Sequence, residues 1–189
     1  MEMPKDVLVL DAETTRFPEG TPFSSTHKLH CVGVLWRGNY HYFDIEHSGN
    51  PYNLALREIA RLFEAAKIVV GFNIKYDLHY LRRYIPGLAV RSVFDGQLAE
   101  FILSNQQSVY PSLGLCAARY GLSPKLDRIK LEYWDNGLDT SDVPEDVLKE
   151  RVLDDTRLHY EVFTKQLPLL RHQNKLELLR LQCQDLLVL

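Results

Sequence analysis

The sequence has 189 residues, 46% of them hydrophobic and 25% charged, with a formal net charge of −3. This composition is typical of one soluble globular domain with a substantial core. It excludes recognition of nucleic acid through a high overall positive charge, although a bound metal ion would add positive charge of its own.

The three cysteines, Cys31, Cys116 and Cys183, are scattered along the chain. They provide neither a disulfide framework nor a CxxC zinc site, so we expect buried thiols. The first residues lack the apolar core of a signal peptide, and no run reaches the ~18 apolar residues of a membrane helix. We therefore expect a cytoplasmic protein without membrane contact, in the host cytoplasm if a phage encodes it.

Five β-strands are predicted. A continuous apolar run at residues 7–10 is typical of a strand that is buried on both faces. A second strand at 29–36 is followed by Arg37-Gly38-Asn39, whose hairpin chemistry leads into a third strand at 40–45. Short apolar runs predict the last two strands, at residues 68–70 and 90–94.

Helices are predicted between and after these strands. Capping residues predict one helix that starts at Asn50 and Pro51. Further helices are predicted at residues 76–84, 95–103, 113–120, 144–166 and 172–189. Asp95 is the expected N-cap of its helix, and Pro168 predicts the end of the long one. The order of elements predicts an α/β fold, a mixed central β-sheet flanked by helices.

Two acidic motifs follow predicted strands. Asp11 sits at the C-terminal end of the first strand, and because side chains alternate along a strand, Asp11 and Glu13 point to the same face. They are either ligands of a divalent cation or part of a turn in which Asp11 accepts backbone hydrogen bonds. Asn73 and Asp77 follow the strand at 68–70, where the alternatives are an Asx turn and an acid that is favoured by the helix dipole.

A further acid lies inside the long helix. At about 100° per residue, Asp155 falls in the middle of an apolar stripe, whereas Asp154 lies about 100° away. The stripe consists of Leu148, Val152, Leu158 and Val162. A carboxylate on the core face needs a cation, so Asp155 is the expected ligand and Asp154 the expected solvated neighbour.

These motifs resemble the DEDD superfamily of 3′–5′ exonucleases over residues 7–165, most closely the proofreading exonuclease domain of family A DNA polymerases, particularly phage forms. Asp11 and Glu13 match its first motif, Asn73 and Asp77 its second, and Asp155 its last acid. The resemblance implies a ribonuclease H-like fold and two Mg²⁺ or Mn²⁺ ions. Asp11, Glu13, Asp77 and Asp155 would be the metal ligands.

The resemblance also implies a substrate and a partner. The expected substrate is the 3′ end of single-stranded DNA, and the partner is a DNA polymerase domain on the same or a separate chain. Residues 1–170 would form the exonuclease domain. Residues 171–189 would form a helix that leads into the polymerase, since the chain ends on the apolar run Leu186-Leu187-Val188-Leu189.

Arg151 departs from the family pattern. It stands four residues before Asp155, where one subclass has a tyrosine, and Glu150 stands where another has a histidine. Arg151 projects toward the site and is counted among the catalytic residues, as a phosphate contact or as a cation that replaces a metal; the alternative is a simple i,i+4 pair with Asp155. If the tyrosine matters, Arg151→Tyr should raise the metal-dependent rate. His159 also projects inward, with a satisfied core histidine as the favoured interpretation.

Substrate contacts are expected from two local basic segments. Residues 75–91 carry four cations against one acid, and residues 119–130 carry the same balance. The candidate substrate-binding residues are Phe72, Asn73, Lys75, Tyr76, Lys125 and Lys130. Two other functions stay open: a module that binds single strands or docks a polymerase without catalysis, which Arg151 favours, and an exonuclease that acts on RNA.

Overall fold

The computed structural model describes residues 4–16, 21–46, 53–125 and 127–187. Five strands form one mixed sheet in the order β3-β2-β1-β4-β5. They are β1 (Val7–Thr14), β2 (Leu29–Trp36), β3 (Asn39–Asp44), β4 (Ile68–Gly71) and β5 (Val93–Asp95). β2 is antiparallel to both of its neighbours, β1 and β3, and β4 and β5 continue parallel to β1. The predicted mixed α/β sheet is confirmed.

Seven α-helices accompany the sheet in the described ranges. They are α1 (Asn53–Ala65), α2 (Ile74–Tyr84), α3 (Gly96–Leu103), α4 (Leu113–Arg119), α5 (Arg128–Glu132), α6 (Glu145–His172) and α7 (Leu176–Gln182). Short 3₁₀ turns lie at Trp134–Asn136, Thr140–Asp142 and Gln184–Leu187. The predicted helix start at Asn50 and Pro51 lies outside the described residues.

The core is centred on β1. Its residues 7–10 are at most 4% exposed, as expected for a strand that is covered on both faces. The long helix α6 packs across β1 and β2, and its predicted apolar stripe is buried. This packing places α6 directly beside the strand that carries Asp11 and Glu13.

The prediction that Pro168 ends the long helix is wrong. Helix α6 continues through Pro168 to His172. Proline removes one backbone hydrogen bond, but Gln166 and Leu170 on either side of it are fully buried. Gln166 also donates to the Gly96 carbonyl at 2.9 Å. Tertiary packing therefore holds the helix where local propensity would end it.

The single helix predicted over residues 172–189 is interrupted in the structure. Asn174 has a left-handed φ of 54°, and the Lys175 N–H binds the Leu170 carbonyl at 2.8 Å. Together with the bond from Asn174 N–H to Arg171, this is a Schellman ending with asparagine in the left-handed position. Helix α7 follows as a separate element.

The segment after α6 packs against the domain. Leu179, Cys183 and Leu186 are at most 4% exposed and belong to the main core, and the Arg82 guanidinium donates to the Leu186 carbonyl at 3.0 Å. The apolar run at the end of the sequence is thus buried in part, while residues 188–189 lie outside the described ranges. The division of the chain at residue 170 stays a prediction.

Candidate metal centre

Asp11 and Glu13 lie inside β1. We predicted Asp11 at the C-terminal end of the strand, and antiparallel pairing with β2 continues through Asp11↔Gly33 and Glu13↔Cys31. Parallel pairing with β4 stops earlier, at Val9↔Val70. The two acids therefore stand beyond the end of the parallel ladder with β4, on one face of a strand that β2 supports.

Helix α6 brings Asp155 to the same place because β2 carries a glycine where the helix crosses it. A Cβ atom at Gly33 would lie 2.8 Å from both the Val152 carbonyl oxygen and the Thr156 hydroxyl, closer than real Cβ atoms approach. Only glycine lets the helix backbone come this near to the sheet. Asp155 lies on α6 between Val152 and Thr156, the two residues that approach Gly33. Because Asp11 is the partner of Gly33 across the strands, the close approach brings Asp155 near Asp11.

Three of the predicted ligands form a compact group. One carboxylate oxygen each from Asp11, Glu13 and Asp155 lie within 4.8 Å of one another. Asp155 is 4% exposed and Glu13 is 7% exposed, and Asp11 is partly open to solvent. A buried set of carboxylate oxygens fits a hard divalent cation such as Mg²⁺ or Mn²⁺. A plain turn at Asp11 does not describe this arrangement.

Asp77 borders this group without belonging to it. It is 5% exposed and lies in the first turn of α2. Burial, and then the charges of Asp95 and Glu13, raise its pKa well above the ordinary range. The charges of Asp77 and the acid cluster therefore influence one another. From this position Asp77 could complete a second metal site with Asp11.

Asp95 positions the helix that carries Asp77. Its carboxylate accepts hydrogen bonds from Gln97 and Leu98 at the start of α3, at 2.8 and 3.2 Å, as an N-cap should. It also accepts from the backbone N–H groups of Asn73 and Ile74, at 3.2 and 3.0 Å. One carboxylate therefore holds the starts of two helices together behind the metal centre.

The acids repel one another in the absence of a cation. Burial, and then the negative charges of Asp155, Glu13 and Asp77, raise the pKa of Asp11 well above its ordinary value. Burial also raises the pKa of Glu13, although Arg151 opposes the shift. The cluster thus favours either protons or added positive charge, which is the electrostatic condition for metal binding.

Arg151 supplies part of that charge. Its Nε lies 3.0 Å from Glu13 and 3.3 Å from Asp155, and its Nη1 pairs with Asp127. The guanidinium lies over the Trp134 ring, 5.1 Å from its centre. Burial works against the charge, but these acids raise the pKa of Arg151 nevertheless. Arg151 therefore connects Glu13 and Asp155 to Asp127 and Trp134. The i,i+4 pair with Asp155 is only one of its contacts.

Lys125 is a second cation at the cluster. Its ammonium lies 2.8 Å from the Asp155 carboxylate. Beside it lies a cleft of about 420 Å³, lined by Ser112, Leu113, Gly114, Ala118, Leu122, Pro124, Lys125 and Asp127. We predicted Lys125 as a substrate contact, and its place between the cleft and the acids is compatible with that prediction.

His159 agrees with the interpretation of a satisfied core histidine. Its Nδ1 donates to the Leu10 carbonyl at 2.9 Å, because a carbonyl can only accept. Burial lowers the pKa of His159 to about 4, so the ring is neutral near pH 7. Its Nε2 is 3.7 Å from Asp11, too far for a hydrogen bond.

The other candidate substrate residues lie in different settings. Phe72 is half-buried, with its ring 6.1 Å from that of His159. Asn73 is exposed in a left-handed conformation, and among the described residues its side chain caps no N–H of α2. The Tyr76 hydroxyl shares a 3.0 Å hydrogen bond with Thr14. Lys75 is exposed on α2, whereas Lys130 approaches Asp135 at 4.0 Å.

Sequence reasoning missed two residues that build the site. Gly33 was visible as a lone glycine within an apolar strand, which is a signal of close backbone approach. The link from Asp95 to α2 joins residues that are 21 and 22 positions apart, and no local pattern predicts it.

Comparisons with known proteins agree on the fold. No family model and no curated protein matches the sequence. Among solved structures, Brucella melitensis NrnC bound to pGG superposes with a TM-score of 0.69 at 14% identity, over 97% of this chain and 82% of that one. The same protein with bound Mg²⁺ gives a TM-score of 0.68 at 15% identity, over the same shares.

A second similar structure is the catalytic core of RRP6 from Trypanosoma brucei. It superposes with a TM-score of 0.67 at 16% identity and covers 96% of this chain, but this chain spans only 46% of its length. At these identities the likeness concerns the fold. The ribonuclease H-like α/β fold that the sequence motifs implied is thus confirmed, in the form found in these solved structures.

Proposed function

We propose that this chain is a metal-dependent 3′–5′ exonuclease that removes nucleotides from the 3′ end of a single strand, with DNA as the expected substrate. One observation carries the proposal: Asp11, Glu13 and Asp155 converge within 4.8 Å, beside Asp77. That convergence occurs in a fold shared with solved nucleases, one of which has bound Mg²⁺.

The acids would divide the metal ions between them. Asp11, Glu13 and Asp155 would hold one ion, and Asp11 with Asp77 would hold the other. When bound, two such ions lower the pKa of a water molecule and stabilise the negative charge of a phosphodiester transition state. Since Lys125 and Arg151 contact Glu13 or Asp155, ion binding would compete with these two cations.

The remaining residues would orient the terminal nucleotide. The Phe72 and Tyr76 rings offer apolar surface beside the acids, and the exposed Asn73 carries both a donor and an acceptor. Lys125 lies where the cleft meets Asp155, so that on leaving the carboxylate it could bind a phosphate. Arg151 is buried and holds Glu13 and Asp127, which favours a positioning role over direct phosphate contact.

The test is digestion of a 5′-labelled single strand in Mg²⁺ or Mn²⁺, beside EDTA and Asp11→Ala controls. A ladder that shortens from the 3′ end and disappears in both controls would support the exonuclease. Matched DNA and RNA strands in the same assay would decide the sugar preference, which a contact to the 2′-hydroxyl would set. An intact strand that still binds would instead favour the non-catalytic module.

A more specific proposal is that the exonuclease proofreads for a family A-type DNA polymerase. This proposal rests on the sequence motifs. The comparisons with NrnC and RRP6 favour a nuclease without favouring a polymerase partner. Preferential digestion of a mismatched 3′ end in the presence of such a polymerase would support proofreading. Equal digestion of matched and mismatched ends would contradict it.

In the described part of the chain, no helix has the length and apolar character needed to span a bilayer.

A further inference from the structure

The two basic segments, residues 75–91 and 119–130, have the same net charge in the sequence but differ in how many of their cations form ion pairs. Each cation of the 119–130 segment has an acidic partner: Arg119 with Glu100, Lys125 with Asp155, Arg128 with Glu132 and Lys130 with Asp135. Their charge is thus largely neutralised within the protein. This surface offers less net attraction to a phosphate backbone than its composition suggests.

The outward face of α2 is different. Lys75, His79 and Arg83 recur every four residues and therefore share one face of the helix. Within the described ranges, neither Lys75 nor Arg83 forms an ion pair. The acid of this helix, Asp77, is buried on the side of the metal centre. Lys75 and Arg83 thus place two positive charges on the face of α2 that points away from Asp77, about 12 Å apart along the helix axis. Burial lowers the pKa of His79 between them, so His79 contributes its ring to this face.

An aromatic ring lies on this face. Phe23 is 79% exposed, and its ring meets the His79 ring edge-on with the centroids 5.0 Å apart. We name the surface formed by Phe23, Lys75, His79 and Arg83 the α2 strip. Single exposed apolar residues are common, but this ring contacts His79, which lies between Lys75 and Arg83 on the same face of α2.

The loop that carries Phe23 is held in place. Arg83 donates to the Pro22 carbonyl at 3.1 Å, which ties the loop to α2. Inside the loop, the Thr21 N–H donates to His27 Nδ1 at 2.7 Å. The ring is therefore presented by a fixed backbone, as a stacking platform requires.

We infer that the α2 strip binds the part of a single-stranded nucleic acid that lies upstream of the 3′ end, a role that rests on the proposed exonuclease function. Lys75 and Arg83 neutralise phosphates, and a base stacks on Phe23. Basic grooves with aromatic platforms are the usual means of holding single strands without sequence preference. The strip lengthens the binding site beyond the terminal nucleotide and favours longer strands over dinucleotides.

The experiment compares binding of a fluorescent single strand of about 12 nucleotides with hydrolysis of a dinucleotide. Binding is measured by anisotropy in EDTA over a range of salt concentrations. Phe23→Ala should weaken binding about fivefold or more, and Phe23→Tyr should restore it. Arg83→Gln should reduce the slope of log affinity against log salt by about 0.7. All three variants should hydrolyse the dinucleotide at the wild-type rate.

Arg128→Gln is the matched control, since Arg128 is exposed but paired with Glu132. It should change neither the affinity nor the slope. Unchanged binding in Phe23→Ala and Arg83→Gln, an equal loss in Arg128→Gln, or no binding by the wild type would overturn the inference. If the strand binds through the strip while neither substrate is hydrolysed, the strip stands and the exonuclease proposal fails.

Discussion

At the scale of single residues, neighbouring acids have different environments. Asp155 is 4% exposed and faces the cluster, whereas Asp154 is about one-third exposed and pairs with Arg157 at 2.8 Å. Helical periodicity alone separated the two, because a 100° rotation moves a side chain from the core face to the surface. The same reasoning should hold wherever one face of a helix is fully buried.

The raised pKa of Asp11 makes stability depend on pH. The folded chain holds this proton more tightly than the unfolded chain, because of burial and then Asp155. The stabilisation that this proton gives the folded chain is complete below the pKa of Asp11 in the unfolded chain, about 3.9. It is lost as pH rises through the pKa of Asp11 in the folded chain. In EDTA, Asp11→Asn should therefore gain stability relative to wild type as pH rises, as measured by urea unfolding at several pH values.

Mg²⁺ should reverse the loss of stability that the ionised Asp11 causes in the wild type. Mg²⁺ binds only the folded cluster, so it should raise the melting temperature of the wild type more than that of Asp11→Asn. Parallel stability curves for the two proteins across pH, together with equal responses to Mg²⁺, would show that Asp11 neither titrates in this range nor binds metal.

Arg151 is predicted to compete with metal. Replacing it by tyrosine removes the cation that bridges Glu13, Asp127 and Asp155. In EDTA, Arg151→Tyr should lower the free energy of unfolding by about 2–5 kcal/mol, because buried acids lose their partner. In metal the loss should be smaller, and half-maximal activity should require less Mg²⁺ than in the wild type.

Metal titrations of activity and urea unfolding with and without Mg²⁺ measure both effects, with Arg151→Lys as the variant that keeps the charge. Loss of activity at every Mg²⁺ concentration in Arg151→Tyr, with the fold intact, would instead mean that Arg151 contacts the substrate. The sequence could not decide between these roles, because two partners of Arg151 lie 24 and 138 residues away.

At the scale of elements, the distance between α6 and the sheet depends on Gly33. A methyl group there would press on the Val152 carbonyl at 2.8 Å, and backbone cannot move aside as a flexible side chain can. Gly33→Ala should lower the free energy of unfolding by about 1–3 kcal/mol. It should also reduce activity by up to ~100-fold, since a displacement of about 1 Å at Asp155 is enough for such a loss.

Gly114→Ala is the comparison for this change. The nearest atom to a Cβ at Gly114 is 4.0 Å away, and alanine favours the helix. Thermal unfolding should be unchanged or slightly improved in Gly114→Ala, and the loss of activity should be far smaller than in Gly33→Ala. Wild-type activity in Gly33→Ala would contradict the claim that this contact sets the position of Asp155.

Elements that local rules govern were predicted well. The buried run of β1, the Arg37-Gly38-Asn39 hairpin and the Asp95 cap all follow from side-chain pattern and turn chemistry. The errors occurred where distant contacts override those rules. Pro168 is tolerated because its neighbours are buried, and β1 extends beyond Asp11 to Thr14 because β2 pairs with it.

At the scale of the whole molecule, sequence motifs 144 residues apart, from Asp11 to Asp155, meet because the sheet places β1 at its centre and α6 crosses it. Their chain order matched a family pattern, which made the fold predictable. Net charge was less informative: the cations of residues 119–130 are paired internally, whereas Lys75 and Arg83 of the other basic segment lie on the α2 strip. Pairing of this kind depends on tertiary contacts, so composition cannot reveal it.

The most direct test of the central claim compares Asp155→Asn with Asp154→Asn in the digestion of a 5′-labelled single strand with Mg²⁺. The two variants remove the same charge from adjacent positions, but only Asp155 faces the cluster, whereas Asp154 pairs with Arg157 at the surface. We predict that Asp155→Asn loses at least ~100-fold in rate, while Asp154→Asn cleaves from the 3′ end like the wild type. Equal activity in both variants, with both folded, would contradict the assignment of the metal centre.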